Sequence, residues 1–243
     1  MPIHHCFCKW VGLSPQNVIK LQKVSVFIDG YNLYHSVKSL NKPILKWVNP
    51  INFCKFFINI KQERIERVKF FTAFPHHKSQ DVQNRYFSYT KALKAQGIEI
   101  IEGEFKKKLS SFYSNNKKFT RATFEEKESD VNLSISIVED AFERISDKII
   151  VITNDSDIAP AIKMAKEKNP HVKIQIISPP IAKTKQVSYS LYVAAGNVKK
   201  NKKGQTYVKT SQIMEFMLKQ AVMPSKIVAK DGEVIEIPEK YLL

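Results

Sequence analysis

Cysteine and glycine are scarce in this chain, with three and seven respectively in 243 residues. Cys6, Cys8 and Cys54 cannot build the several bridges of a disulfide scaffold, which points to a reducing compartment. Long hydrophobic runs are also missing. None approaches the ~20 apolar residues needed to cross a bilayer. The opening MPIHHCFCKWVGLSPQ lacks the basic start and unbroken apolar stretch of a secretion signal. A cytoplasmic protein with no membrane partner is expected. Equally absent are a GxSxG elbow, a phosphate-cradling GxxxxGK[ST] loop and a plausible Cys–His pair, so nothing suggests a covalent nucleophile. Acidic charge is the remaining shortage. Asp and Glu number 23 against 39 Lys and Arg, a net charge of +16. That excess favours a polyanionic partner, most simply nucleic acid, although a merely solubilising surface accounts for charge alone equally well.

With 43% hydrophobic residues the chain can bury a real core. Residues 1–23 show no period and read as an N-terminal extension. Their His4, His5, Cys6 and Cys8 could bind a metal, but Cys-x-Cys beside two histidines lacks the paired spacing of a zinc site. From Val24 strands and helices alternate. VSVFI, RVKFFTAF (67–74), IEIIEGEF (98–105), KIIVIT (148–153) and VKIQIIS (172–178) are strand runs. YNLYHSVKSL, DVQNRYFSYTKALKAQ, SDVNLSISIVEDAFERI (129–145) and IAPAIKMAKEK (158–168) are helix-length, the third with Leu133, Ile137, Ala141 and Ile145 at helical spacing. This alternation implies a three-layer α/β/α sandwich around a mainly parallel sheet, Rossmann-like in plan. The main domain is expected over 24–197, with an insertion at about 103–127. A C-terminal appendage over 198–243 holds a short helix and a hairpin turning at Asp231-Gly232.

Two buried strand runs stop at carboxylates: VSVFIDGYNLYH at Asp29, and IVITNDSDIAP at Asp155 and Asp157. In open parallel sheets ligands bind outside the carboxyl ends of the strands, so these acids share the edge where chemistry is expected. Asp130 opens the helix at 129–145, in line with Leu133 and Ile137. Carboxylates gathered this way repel one another unless a cation lies between them, and Mg²⁺ or Mn²⁺ suits oxygen ligands and phosphate. Such a site activates water against a phosphodiester. The structural alternative is capping: Asp157 precedes a helix with Pro160 in its first turn, Asn32 could fix its own turn, and Gly30 could serve a tight bend.

FIDGYNLYH, KESDVNLSISIVEDA and VITNDSDIAPAIK together resemble the three acidic motifs of NYN domains, members of the PIN-like nuclease superfamily, over about residues 24–195. The ending MPSKIVAKDGEVIEIPEKYL resembles the tail of bacterial LabA-like members. The resemblance implies a metal-dependent ribonuclease with Mg²⁺ or Mn²⁺ as cofactor. Asp29 falls on the family's first acid, Asn32 on its accompanying asparagine, Asp130 on the acid opening the central helix, and Asp155 and Asp157 on the final pair. Two positions depart from the pattern. Glu128-Ser129 replaces the usual glycine-valine, and Ser136 stands where many relatives carry another acid. Glu128 is a candidate for the replacement charge.

In GEFKKKLSSFYSNNKKFTRATFEEK (103–127), Lys106, Lys107, Lys108, Lys117, Lys118 and Arg121 alternate with Phe105, Phe112, Tyr113 and Phe119. Cations neutralise phosphates while aromatic faces stack unpaired bases, so single-stranded RNA is the expected partner, with DNA open. A hairpin with solvated lysines is the alternative. Lys199, Lys200, Lys202 and Lys203 read as a solvated loop. His76 and His77 follow a strand at the same edge as the acids, where substrate or metal contact is the alternative to a plain loop pair. Tyr31 and Tyr34 are expected to pack the first helix, with the pocket mouth the alternative for Tyr31. An endoribonuclease is the leading reading. A catalytically weak RNA-binding module, or a tail-assembled homo-oligomer, are the others.

Overall fold

The computed structural model describes residues 20–114, 117–180 and 186–242. The His4, His5, Cys6 and Cys8 cluster lies outside the described residues. Apolar runs become the strands, beginning with β1 (Gln22–Asp29), buried from Val24 onward. It leads into α1 (Gly30–Lys38), the single turn α2 (Pro50–Cys54) and β2 (Glu63–Ala73). Next come α3 (Gln80–Ala95), β3 (Glu99–Ser114), β4 (Lys117–Lys127) and α4 (Ser129–Phe142). The series continues with β5 (Lys148–Ile152), α5 (Ala159–Lys168), β6 (Lys173–Ile177) and α6 (Tyr189–Ala194).

The main sheet runs β4-β3-β2-β1-β5-β6. Every neighbouring pair is parallel except β3–β4, an antiparallel hairpin that extends far beyond the sheet. The chain builds outward from β1 through β2 to β3, then returns to add β5 on β1's other side. That reversal makes the carboxyl ends of β1 and β5 the topological switch point, where open α/β sheets form a crevice.

Strand alternation sends successive side chains to opposite faces. Val24, Val26 and Ile28 of β1 pack with Leu33 and Val37 of α1 and Leu93 of α3. Phe27 joins the other face, where Leu133, Ile137 and Ala141 of α4 meet Ile162 and Ala165 of α5. The expected α4 stripe is thus buried, though Ile145 lies past the helix end. Among the described residues no helix is long and apolar enough to cross a membrane.

Past α6 come β7 (Val198–Lys200) paired with β8 (Thr206–Val208), α7 (Glu215–Gln220), and β9 (Lys226–Val228) paired with β10 (Val234–Glu236). The turn before β10 uses Gly232 at φ 88°, a left-handed conformation that costs glycine little. Ile213, Leu218, Ala221, Met223, Ile235 and Tyr241 are buried in the same apolar cluster as β1. Trp47, fully buried, donates Nε1–H to the Pro224 carbonyl at 2.9 Å, and Met223 N–H returns to the Trp47 carbonyl at 2.9 Å. This tail is therefore built into the core of one face.

One buried ion pair ties α4 to the sheet. Arg67 of β2 donates from Nη2 to Asp140 Oδ2 at 2.8 Å and from Nε to Ser25 Oγ at 3.2 Å. Ser146 Oγ donates to Asp140 Oδ1 at 2.5 Å, and the guanidinium lies 5.4 Å from the Phe27 ring centroid. Asp140 is wholly buried, so truncating it strands a charged guanidinium. Asp140→Ala is expected to destabilise the fold by about 3–5 kcal/mol, measurable as a shift of the urea midpoint at unchanged slope.

Candidate functional site

A cleft of about 550 Å³ opens at the switch point, its walls including Asp29, Asn32, Glu126, Asp130 and Asp155. Asp29 ends β1 in a buried position, only 6% exposed. Its Oδ1 accepts the Asn32 backbone N–H at 2.8 Å, capping α1. Its Oδ2 accepts the Thr153 hydroxyl at 2.8 Å, fastening the end of β5 to the end of β1. Gly30 follows because the backbone passes too close for a side chain: a Cβ there would lie 2.6 Å from the Phe71 carbonyl oxygen. Room, rather than the bend expected from sequence, dictates that glycine.

Asn32 Oδ1 accepts the Asn154 N–H at 3.3 Å, so α1 and the loop after β5 are joined twice. Asp155 Oδ1 accepts the Asp157 N–H at 2.9 Å and caps a 3₁₀ turn, Ser156–Ile158. The expectation that Asp157 is the cap is corrected: it lies inside the turn that Asp155 caps, and α5 starts two residues later. Asp157 does not line the cleft, but its charge reaches Asp130.

Burial, opposed by the hydrogen bonds from Asn32 and Thr153 and reinforced by the charges of Asp130 and Glu126, raises the Asp29 carboxyl to about 7. Asp130 stands at the cleft wall, where partial desolvation and then the charges of Asp155 and Asp157 raise it. Glu126 is raised by burial, against a hydrogen bond from Ser129 Oγ at 2.5 Å, and by Asp130. Asp29, Glu126, Asp130 and Asp155, four of the carboxylates lining the cleft, therefore repel across it.

Glu126 was missed in the sequence. Glu128 was considered as the replacement for the acid absent at Ser136, and it does line the cleft, at φ 73° ahead of α4. Yet Glu126 is the one whose charge is felt at Asp29 and which itself feels the charge of Asp130. Hairpin register explains this. Glu126 pairs with Phe105 and Phe124 with Lys107, and strand alternation puts all four on one face. Ser136 is buried, and the acid one turn further along α4 on the same buried side, Asp140, is taken by Arg67.

The same register sorts the basic residues of the insertion. Lys107 shares the face of Phe124 and has no ion pair among the described residues. Lys106 and Lys108 lie on the opposite face, paired with Glu104 at 2.6 Å and Glu125 at 2.7 Å. Arg121, opposite Ser110, is on that face too. The side chains of Lys117, Lys118, Phe112 and Tyr113 lie outside the described residues. His77 stacks on Phe124 at 4.3 Å between ring centroids and meets Phe105 at 4.6 Å, with His76 beside it. The histidine pair thus belongs to a ring cluster at the hairpin base. Tyr31 and Tyr34 are 44% and 43% exposed, because Leu33 and Val37 carry the buried side of α1; Tyr31 lines the cleft, the alternative read for it from sequence.

In kind, these donors fit a hard divalent cation, being carboxylate and amide oxygens. In arrangement, no group of three or more His, Cys, Asp or Glu among the described residues is set to hold a metal ion. Asp29 and Asp155 instead turn oxygens toward neighbouring N–H and hydroxyl groups.

The NYN domain family model matches residues 23–198. The chain belongs to the NYN domain family. It therefore carries a domain of the PIN-like nuclease superfamily, whose extent includes every acid of the cleft. A 6-hydroxy-3-succinoylpyridine 3-monooxygenase of Pseudomonas putida is 28% identical to this NYN protein over 188 residues, 65% of the chain. The chain spans 59% of that relative's length, and the oxygenase activity is stated of that relative. A solved protein of unknown function from Vibrio parahaemolyticus is 16% identical, with a TM-score of 0.49 over 82% of this chain and 97% of its own.

The raised Asp29 carboxyl makes stability depend on pH. Between its ordinary 3.8 and about 7, the folded protein keeps a proton that the unfolded chain has released. Stability contributed by the neutral form therefore falls as pH rises through that window. Asp29→Asn removes the dependence while keeping an acceptor for Asn32 N–H. In EDTA, the variant is expected to match wild type near pH 4. It should exceed wild type by up to about 4 kcal/mol at pH 8, read from urea denaturation across the pH range.

Proposed function

We propose that the NYN cleft is a metal-dependent endoribonuclease site that hydrolyses RNA phosphodiester bonds with water as the nucleophile. The observation that carries this reading is the gathering of Asp29, Asp130, Asp155 and Glu126 in one cleft at the switch point, with three of them held above the usual carboxylate range. Perturbed acids concentrated in a cleft mark a functional-site candidate, and capping by Asp29 and Asp155 does not exclude that role. Asp29, Asp130, Asp155 and Asp157 would hold Mg²⁺ or Mn²⁺, once Asp29 and Asp155 turn oxygens away from the N–H and hydroxyl groups they now face. A divalent ion there supplies positive charge to a phosphoryl oxygen and to the leaving oxygen. Asn32 keeps its Nδ2 unpaired among the described residues and orients the scissile phosphate by donating to it. Glu126, on the cleft wall and outside the ligand set, would accept the proton released by the attacking water. Lys107, on the face of Phe124, meets a neighbouring phosphate; the outward Lys106, Lys108 and Arg121 extend the basic surface.

A second reading has a specific observation behind it. The lack of a metal-ready group among the described residues, with Ser136 in place of an acid, suits an RNA-binding NYN module with weak or no turnover. Labelled single-stranded RNA and DNA, incubated with wild type and Asp29→Asn with and without Mn²⁺, separate the two. Wild type is expected to cut RNA only with the metal, and Asp29→Asn to stay folded and cut nothing. Unchanged cleavage by that variant would falsify the assignment. Salt-sensitive RNA binding without cleavage by wild type supports the binding module.

A further inference from the structure

Along α1 an exposed series of rings leaves the acidic cleft and ends at a cation cluster. Tyr31 and His35 line the cleft and touch each other, ring centroids 4.3 Å apart. His35 meets Tyr34 at 5.4 Å, one step outside the cleft. Lys46 then sits with Nζ 5.8 Å from the Tyr34 centroid and 5.9 Å from that of Tyr241. From Tyr31 to Lys38 the helix rises roughly 10 Å.

The cations at the far end come from separate parts of the chain: Lys38 from α1, Lys46 from the segment before Trp47, Arg85 from α3 and Lys240 from the C-terminus. Burial and then the like charges of Lys38, Arg85 and Lys240 push the Lys46 ammonium below its usual value. Asp81 pairs with Arg85 and lies 3.7 Å from Lys240. Lys38 and Lys46 have no ion pair among the described residues. A fold gains nothing by crowding like charges, and an anion is what relieves them.

We propose that this face is a track for single-stranded RNA: bases stack on Tyr31, His35 and Tyr34, and a phosphate beyond them rests on Lys38, Lys46 and Lys240. It rests on the reading of the cleft as an RNA site. Rings stack unpaired bases whatever their sequence, while the cations take the backbone. A duplex keeps its bases stacked on one another and has none to offer the rings. The C-terminal tail supplies Lys240 and Tyr241, so it completes a binding surface as well as a core.

The test is fluorescence anisotropy in the Asp29→Asn background with Mg²⁺, so that the strand stays whole. The probes are an oligouridylate of about twelve nucleotides and a uridine trinucleotide, too short to span cleft and cluster. Lys38→Gln/Lys240→Gln, both exposed positions, is expected to weaken the long probe about tenfold. It should also flatten the dependence on salt by up to about 0.7, the share of one phosphate contact on a single strand. The trinucleotide should bind as before. Tyr34→Ala should cost about five- to a hundredfold on the long probe and Tyr34→Phe little. Lys46→Gln, with its melting temperature recorded, repeats the charge test from inside the cluster. If neither probe binds the parent protein, the RNA reading and the track fall together. If the long probe binds all variants alike with the same salt slope, the track alone is overturned.

Discussion

The clamp on Asp29 is the constraint from which the rest follows. A carboxylate taken almost wholly out of water is costly unless its oxygens are satisfied. One oxygen here accepts the N–H that opens α1 and the other accepts the hydroxyl that ends β5. The two central strands diverge at that point, so a single side chain fixes the mouth of the crevice, the direction of α1 and the start of the loop bearing Asp155. The choice between helix cap and chemical group is therefore a false one. Capping is how Asp29 is positioned, and the incomplete compensation of its burial is what leaves its proton affinity high.

Around that clamp the protein sets acids against its own global charge. A chain with an excess of 16 positive charges still lines its central cleft with carboxylates. Lys127 apart, the cations stand outside, on the hairpin and beyond the tyrosines of α1. Such a layout draws a polyanion to the surface by long-range attraction while making the cleft repel it unless a cation intervenes. Attraction and selectivity then reside in different residues, and altering one set leaves the other in place.

Much of the frame was legible because β1 and β5 are short apolar runs that stop at acids, and only a strand buried on both faces reads that way. The stripe of Leu133, Ile137 and Ala141 was equally plain, since its spacing is the helix's own. What escaped depends on contacts far apart in sequence. Glu126 reaches the cleft through its register against Phe105, and a hairpin's register is not written in either strand alone. Asp155 rather than Asp157 takes the cap because of the turn's dihedrals, which residue type does not decide. Tyr31 and Tyr34 looked like packing residues until Leu33 and Val37 were seen to fill the buried side of α1. The tail looked peripheral because Trp47 and Pro224, which meet through one hydrogen bond, are separated by most of the chain.

α1 joins these two levels. Its first turn is held by Asp29, and its Asn32 steadies the loop after β5. Its outward residues, Tyr31, Tyr34, His35 and Lys38, lead away from the cleft. A helix of nine residues is marginal alone and takes its order from what it docks against. The clamp that orders its start therefore also orders the ring series along its outer side. Any perturbation of Asp29 that loosens the cap would blur both the cleft and the path leading to it, whereas changes at Lys38 or Tyr34 act on the path alone. The asymmetry follows from the direction of support: the cap holds the helix, and Lys38 and Tyr34 stand on its outer side.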